Sequence, residues 1–195
     1  MTLEIIEIFS SFQGEGPFIG TPATFIRLAE CNLNCSFCDT DFTKKEKMGI
    51  TTIIEKIEEY SNKLIVITGG EPLLQDITFL CSNLLKKGYQ IQIETNGTPT
   101  PLFLPYNVTY VISPKINLKN TYNSWKYYNN IYFKFIIQNK SDLEKLNNIL
   151  DKSTNTIFLQ PEFSKAKEIT ELILNTPLTF NYRISGQLHK YLGVE

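Results

Sequence analysis

The stretch Leu64-Ile-Val-Ile-Thr-Gly-Gly-Glu-Pro72 indicates the architecture of this 195-residue chain. Its apolar run lacks the polar alternation of a half-exposed strand, and therefore predicts a strand buried on both faces, as in parallel sheets covered by helices. The Gly-Gly pair and the proline then end the strand in a turn. In an α/β sheet such a turn lies at the edge where ligands bind.

Similar strand-like runs occur along the whole chain, and helical patterns separate several of them. We predict strands at 3–9, 23–29, 64–68, 89–95, 108–113, 131–137, 156–160 and 178–184, and helices at 52–60, 73–87, 142–150 and 165–175. Capping boxes are expected at Thr52–Glu55 and Ser141–Glu144, and no amphipathic helix is predicted in 96–130. This alternation predicts one α/β domain over residues 1–195, a partial β/α barrel with shortened crossovers.

Polar or glycine-rich segments follow four of the predicted strands. They are Thr68–Pro72, Glu94–Gly97, Ser113–Lys115 and Gln160–Pro161. Because the carboxyl ends of parallel strands meet at one edge of a sheet, we expect the four segments to share one rim.

Composition and charge limit the possible partners. The chain is 42% hydrophobic and has a formal net charge of −1, so it has a core but no basic surplus for holding a nucleic-acid backbone. No apolar run reaches the roughly 20 residues of a membrane span, and Glu4 and Glu7 stand where a signal peptide would be basic. We expect a cytoplasmic protein that acts on a small molecule, without contact to nucleic acid or membrane.

Three of the four cysteines, Cys31, Cys35 and Cys38, lie within eight residues after a predicted strand. Three thiolates on one turn suit a [4Fe–4S] cluster that leaves one iron open to an external ligand. A structural zinc would need a fourth protein ligand, from Cys81 or His189, and the chain would then be a non-catalytic binding module. Helical spacing instead places Cys81 among core leucines.

The cysteine spacing, Phe37 before the last cysteine, and Gly69–Pro72 after the next strand resemble the radical S-adenosylmethionine (SAM) superfamily. This resemblance implies a partial barrel of the radical SAM type and SAM bound to the open iron, with Gly69 and Gly70 letting backbone groups approach the SAM ammonium. It also implies that the cluster cleaves SAM to a 5′-deoxyadenosyl radical. The SAM-binding residues implied are Phe37, Cys38, Asp39, Gly70, Ser113, Pro114, Lys115 and Gln160.

Further segments resemble the 7-carboxy-7-deazaguanine synthase family of the queuosine precursor pathway. They are Ser11–Pro17, Phe25–Leu28, Cys38–Thr40, Thr68–Leu73, Glu94–Thr98, Ser113–Lys115 and Gln187–Lys190. The resemblance implies a lyase that converts 6-carboxy-5,6,7,8-tetrahydropterin to 7-carboxy-7-deazaguanine and ammonia. It further implies a homodimer and an electron donor such as flavodoxin or ferredoxin.

The same resemblance implies the substrate and metal ligands. Substrate would be bound by Phe12, Gln13, Gly14, Glu15, Arg27, Thr68 and the terminal carboxylate of Glu195. Thr40 would bind a Mg²⁺ ion, with Asp39 or Asp41 as alternative or additional ligands.

The chemistry of three of these residues agrees with a carboxylated pterin. Gln13 and Glu15 offer donors and acceptors for the polar ring edge, and Arg27 offers a bidentate fork for the carboxylate. Arg27 also has the pattern of a solvent-facing strand residue, and the only other arginine, Arg183, has no assigned role.

An alternative enzyme class is the glycyl-radical-enzyme activating enzyme, which shares the cysteine loop. The segment Ser11–Pro17 and Thr40 argue against that alternative.

Overall fold

One open sheet forms the centre of the chain. The computed structural model describes residues 1–35, 41, 44–99, 107–150 and 155–194. The nine strands in these residues are β1 (Thr2–Phe12), β2 (Pro22–Leu28), β3 (Glu46–Gly49), β4 (Leu64–Gly69), β5 (Gln90–Thr95), β6 (Val108–Ile112), β7 (Ile131–Ile137), β8 (Thr156–Pro161) and β9 (Tyr182–Ile184).

The strand order is β3-β1-β2-β4-β5-β6-β7-β8-β9. Strands β2 and β4 to β9 pair in parallel, whereas β1 pairs antiparallel with both β2 and β3. A sheet with β3 and β9 as its edges does not close, which confirms the predicted α/β partial barrel. The parallel strands carry the predicted ligand-binding rim at their carboxyl ends.

Six helices lie along the described part of the chain. They are α1 (Ile50–Glu58), α2 (Thr78–Lys86), α3 (Leu118–Trp125), α4 (Lys140–Ile149), α5 (Ala166–Asn175) and α6 (Leu188–Leu192). Helix α1 shows the pattern that drives their packing, since its isoleucines at 50, 53, 54 and 57 repeat at helical spacing and are all buried. Among the described residues, no helix has both the length and the apolar character needed to cross a membrane.

Helix α3 contradicts the prediction of no helix within 96–130. Its only large apolar residues besides Leu118 are Tyr122 and Trp125, too few for a clear amphipathic pattern. Both are fully buried, and the Trp125 Nε1–H donates to the Gly97 carbonyl oxygen at 2.8 Å. Tertiary packing therefore stabilises a helix that has little periodicity of its own.

The helix starts also differ from the predicted capping boxes. Helix α1 begins after Gly49 without a side-chain cap, so the box at Thr52–Glu55 is wrong. The box of α4 is formed by Asn139 and Asp142 instead of Ser141–Glu144. The predicted helix 73–87 is divided into a 3₁₀ turn at Pro72–Leu74 and α2, and the short strand β3 was not predicted.

Candidate functional site

A cavity of about 620 Å³ opens at the carboxyl ends of the parallel strands. Twelve described residues from the predicted site line it: Phe12, Gln13, Gly14, Glu15, Arg27, Cys31, Cys35, Thr68, Gly70, Ser113, Lys115 and Gln160. Pro114 is buried beside Ser113 and is not among the described lining residues. The structure therefore gathers into one cavity residues that are as far apart in sequence as Phe12 and Gln160.

The cysteine loop contributes two sulfurs to this cavity. Cys31 and Cys35 follow β2 and line the cavity, and the backbone N–H of Leu33 donates to the Cys31 sulfur at 3.4 Å. Such donors stabilise a thiolate that ligates iron. Cys81 is buried in α2, where burial raises the pKa of its thiol to about 12, which confirms its prediction as a core residue.

Five predicted site residues lie outside the described part of the chain: Phe37, Cys38, Asp39, Thr40 and Glu195. Their roles stay predictions. Within the described residues, no group of three histidine, cysteine, aspartate or glutamate side chains is placed to hold a metal ion.

The glycine pair after β4 joins two backbone segments. Gly69 has φ of +118°, and a Cβ on it would overlap the Leu28 carbonyl oxygen and amide nitrogen. The Gly70 N–H donates to that same oxygen at 3.0 Å, and the Glu71 N–H donates to the Glu30 oxygen at 2.8 Å. Backbone contact with the segment leading into Cys31 is therefore one structural reason for glycine at 69, and the approach of backbone groups to SAM stays a prediction.

Glu71 is fully buried and connects the loops after β4 and β5. Its carboxylate accepts hydrogen bonds from the Leu73 N–H at 3.0 Å, the Thr95 hydroxyl at 2.6 Å and the Asn96 N–H at 2.7 Å. Burial raises its pKa, against the opposing effect of these donors. The Asn96 side chain in turn donates to Asn32 at 3.1 Å, so the cysteine loop is anchored to the same assembly.

A buried ammonium lies between two carboxylates in the cavity wall. Lys134 of β7 donates to Glu15, in the loop after β1, and to Glu94 of β5 at 2.9 Å. Burial alone would raise the pKa of Glu15, but the Lys134 ammonium holds it at about 2. Burial likewise opposes the charge of Lys134, while the two carboxylates hold its pKa above the ordinary value. Glu15 and Lys134 are therefore both ionised at neutral pH.

Four glutamine amides complete this network. Gln160 and Gln187 donate to Glu15 at 3.2 and 2.8 Å, and Gln13 and Gln92 donate to Glu94 at 3.3 and 2.6 Å. The buried Oε1 atoms of Gln92 and Gln160 have no hydrogen-bond partner in the described structure. Because buried polar atoms normally have partners, the cavity-lining Gln160 has unused capacity for a polar ligand.

The contacts that Lys134, Glu71 and Gln187 make around the cavity were not predicted from the sequence. For Lys134 a signal existed, because it is the only charged residue in the run Ile131–Ile137, which otherwise reads as a strand buried on both faces. A lysine in such a position needs an anionic partner. Nothing local to the sequence identifies that partner.

Arg27 is held beside the cavity by residues of the neighbouring strand. Its Nε donates to Glu7 at 2.6 Å, and its guanidinium lies 5.4 Å from the centre of the Phe9 ring. These contacts leave the terminal nitrogens without a hydrogen bond to any described residue. Arg27 is thus oriented by Glu7 and Phe9 while its fork remains available to an anion.

Residues 26–162 match the family described as the Radical SAM superfamily. A 7-carboxy-7-deazaguanine synthase of Buchnera aphidicola subsp. Schizaphis graminum is 38% identical over an alignment of 222 positions that covers 100% of both chains. This chain belongs to the 7-carboxy-7-deazaguanine synthase family. The family enzyme of Rickettsia prowazekii is also 38% identical, over 99% of this chain and 89% of its own.

A solved member of the family has the same fold. The crystal structure of QueE from Escherichia coli superposes with a TM-score of 0.79 at 28% identity, over 96% of this chain and 95% of that one. The resemblance inferred from the motifs is thereby confirmed, and the glycyl-radical activating enzyme is not favoured.

The described residues fit the cofactors of the superfamily. Cys31 and Cys35 present soft donors to the cavity, in the spacing of a cluster loop, and the unpaired Oε1 of Gln160 offers an acceptor within it. Lys115 donates to the Ser113 hydroxyl at 2.8 Å, and burial together with Lys134 lowers its pKa to about 8. As a radical SAM family member, the chain takes a [4Fe–4S] cluster and SAM.

Proposed function

We propose that this chain converts 6-carboxy-5,6,7,8-tetrahydropterin to 7-carboxy-7-deazaguanine and ammonia, by the SAM-dependent ring contraction of its family. One observation carries the proposal: a single cavity is lined by Cys31 and Cys35 and by the ionised carboxylate of Glu15. A cluster-bound cofactor and a flat, N–H-rich substrate would thus meet in one cavity.

The chain's own residues bind and orient the reacting molecules. Cys31 and Cys35, with Cys38, would hold the cluster, and Ser113, Lys115 and Gln160 would contact SAM. When bound, the cluster supplies the electron that cleaves SAM to a radical able to remove hydrogen from the substrate. The protein places the substrate next to this cofactor and excludes water.

Charged and polar side chains that line the cavity would orient the substrate. The free fork of Arg27 suits the substrate carboxylate, whereas Gln13 and Glu15 suit the polar ring edge. Thr68, at the end of β4, would face the substrate between these groups. Thr40, with Asp39 or Asp41, would bind a Mg²⁺ ion that neutralises the carboxylate.

The finer partners belong to the same proposal. The chain would work as a single-domain protomer of a homodimer in the cytoplasm, reduced by a flavodoxin or ferredoxin. Its substrate is a free heterocycle, so no contact with nucleic acid is required.

The test is turnover after anaerobic reconstitution with iron and sulfide. We expect conversion of the carboxytetrahydropterin in the presence of SAM and a reductant, stimulation by Mg²⁺, and loss of product in Cys35→Ala. Product formation by that variant would exclude the cluster-based reaction. Failure of the wild-type protein to convert the pterin while it installs a glycyl radical on a protein would favour the activating enzyme instead.

A further inference from the structure

The Lys134 ammonium occupies a symmetrical position between two carboxylates. It contacts Oε2 of Glu15 and Oε2 of Glu94, and the Oε1 atom of each carboxylate accepts two amide donors. A carboxylate has about four acceptor sites, two on each oxygen. With respect to the described residues, each of these carboxylates therefore keeps one acceptor site on Oε2, and both carboxylates line the cavity.

The free-energy cost of burying these charged side chains indicates that they have a role other than stabilising the fold. The side chain of Lys134 is only 7% exposed, and those of Glu15 and Glu94 are 14% and 15% exposed. Burying three charges is expensive, and apolar residues of similar volume often stabilise a protein equally well or better. The arrangement provides instead a Glu15 carboxylate that remains ionised, and two carboxylates that are fixed in direction inside a cavity.

We propose that Lys134 is a positioning residue of the pterin site: held by Glu94, it keeps Glu15 ionised and aimed as an acceptor for the substrate's ring N–H groups. This inference rests on the function proposed above and adds residues and a recognition chemistry to it. A ring edge with adjacent N–H donors fits an ionised carboxylate and is rejected by a protonated one, which presents a donor of its own.

Other charged groups also face Glu15. His189 of α6 contributes to lowering the pKa of Glu15, and Lys115, in the segment after β6, lies close enough to interact with Glu15, Glu94 and Lys134. The Lys134 and Glu94 variants described next keep His189 and Lys115. Any titration of these two groups is therefore common to wild type and variants, and the difference between them reports on Lys134.

The first experiment replaces the ammonium by an apolar group of similar length, in Lys134→Met. Without the cation, burial and the neighbouring carboxylate raise the pKa of Glu15, so one proton is retained at mildly acidic pH. We expect the affinity for 6-carboxypterin, measured by titration, to fall roughly tenfold per pH unit below the new pKa. The wild-type affinity should change far less between about pH 7.5 and pH 6.

The second variant separates the effect of removing the lysine charge from the effect of changing the packing around it. Glu94→Gln combined with Lys134→Met keeps the net charge of the group at −1 and changes its volume little. We expect the double variant to regain folding stability and to bind 6-carboxypterin with a weaker pH dependence than Lys134→Met, because no second carboxylate then repels Glu15. Lys140→Met, at an exposed helix position, is the matched control for removal of a lysine charge.

A readout independent of function comes from stability. In Lys134→Met we expect the folded-state pKa of the buried Glu15 to lie above its unfolded value, because the cation that lowers it is gone. The free energy of unfolding should therefore fall, relative to wild type, as the pH rises from about 5 to about 8. Adding Glu94→Gln to Lys134→Met should suppress this pH dependence of stability. The double variant also provides a folded protein if Lys134→Met alone is too unstable.

The outcomes separate the two proposals. Equal pH dependence of 6-carboxypterin binding in wild type and Lys134→Met would overturn the role of Lys134, as would a double variant no more stable than the single one. If wild type binds no pterin at any pH, the proposed function and the recognition role both fail. The stability measurements then still decide whether Lys134 holds Glu15 ionised.

Discussion

The backbone of Gly69 lies directly against that of Leu28, so a Cβ atom at position 69 would overlap the Leu28 carbonyl oxygen and amide nitrogen. This contact joins the end of β4 to the segment that leads into the cysteine loop. The glycine motif and the cysteine motif, separate in sequence, are thus two sides of one backbone junction.

Gly69→Ala should disrupt this junction. The new Cβ meets backbone atoms that cannot rotate away, and φ of +118° is strained for alanine. We expect a loss of about 3 kcal/mol or more in the free energy of unfolding, together with reduced iron after reconstitution. Gly88→Ala is the control, since φ there is +81° and a Cβ would meet nothing within 4 Å. If the two variants were equally stable and equally iron-loaded, the junction would not be needed.

Gly14→Ala should displace helix α6 from the substrate loop. A Cβ at position 14 would overlap the His189 ring, although the Leu188 N–H donates to the Gly14 oxygen at 2.9 Å beside it. We expect faster proteolysis after residue 185 and a raised KM for the pterin. The double variant Gly14→Ala with His189→Ala removes the overlap and should regain protection from the protease. Gly186→Ala, where a Cβ has open space, should behave as wild type.

The cysteines should divide into two classes. Cys35→Ala removes a predicted cluster ligand that lines the cavity, so iron content and turnover should be lost together. Cys81→Ala leaves a small core void and should cost about 1–2 kcal/mol of stability while iron is retained. Elemental analysis of anaerobically prepared protein distinguishes these results. Loss of iron from a fully folded Cys81→Ala variant would instead support a metal site that includes all four cysteines.

Glu15→Gln should weaken the protein in a pH-dependent way. The Lys134 ammonium holds the folded-state pKa of Glu15 at about 2, below the ordinary value of 4.5. The resulting stability is present above pH 4.5 and is lost as the pH falls toward 2, a change of about 3 kcal/mol. Unfolding in urea at several pH values should therefore show a wild-type advantage that shrinks on acidification.

The control for this series is Glu144→Gln. Glu144 forms an exposed pair with Lys140 at 3.8 Å, and such pairs contribute about 0.5 kcal/mol or less. A constant difference between wild type and Glu15→Gln down to pH 3 would contradict the low pKa of Glu15.

Local sequence was sufficient for the fold class and for the principal motifs. The apolar run before Gly69 predicted the parallel strand, and the spacing of Cys31, Cys35 and Cys38 predicted a cluster loop, because both signals depend on residues close together in the chain. Helix α3 was not predictable in this way, since Tyr122 and Trp125 gain their stability from the sheet and from Gly97 and not from a helical repeat.

Only the tertiary structure shows which charged residues contact one another at the centre of the site. Lys134 and Glu15 are 119 residues apart, and Gln187 and Glu15 are 172 apart. The sequence shows a lysine in an apolar strand and a glutamate in a glycine-rich loop. Neither residue by itself indicates that it contacts the other. Only the parallel order of the sheet brings β7 and β5 under the loop after β1. There the low polarity of the interior strengthens the attraction between Lys134 and its two carboxylates, and makes the loss of any one of the three side chains costly.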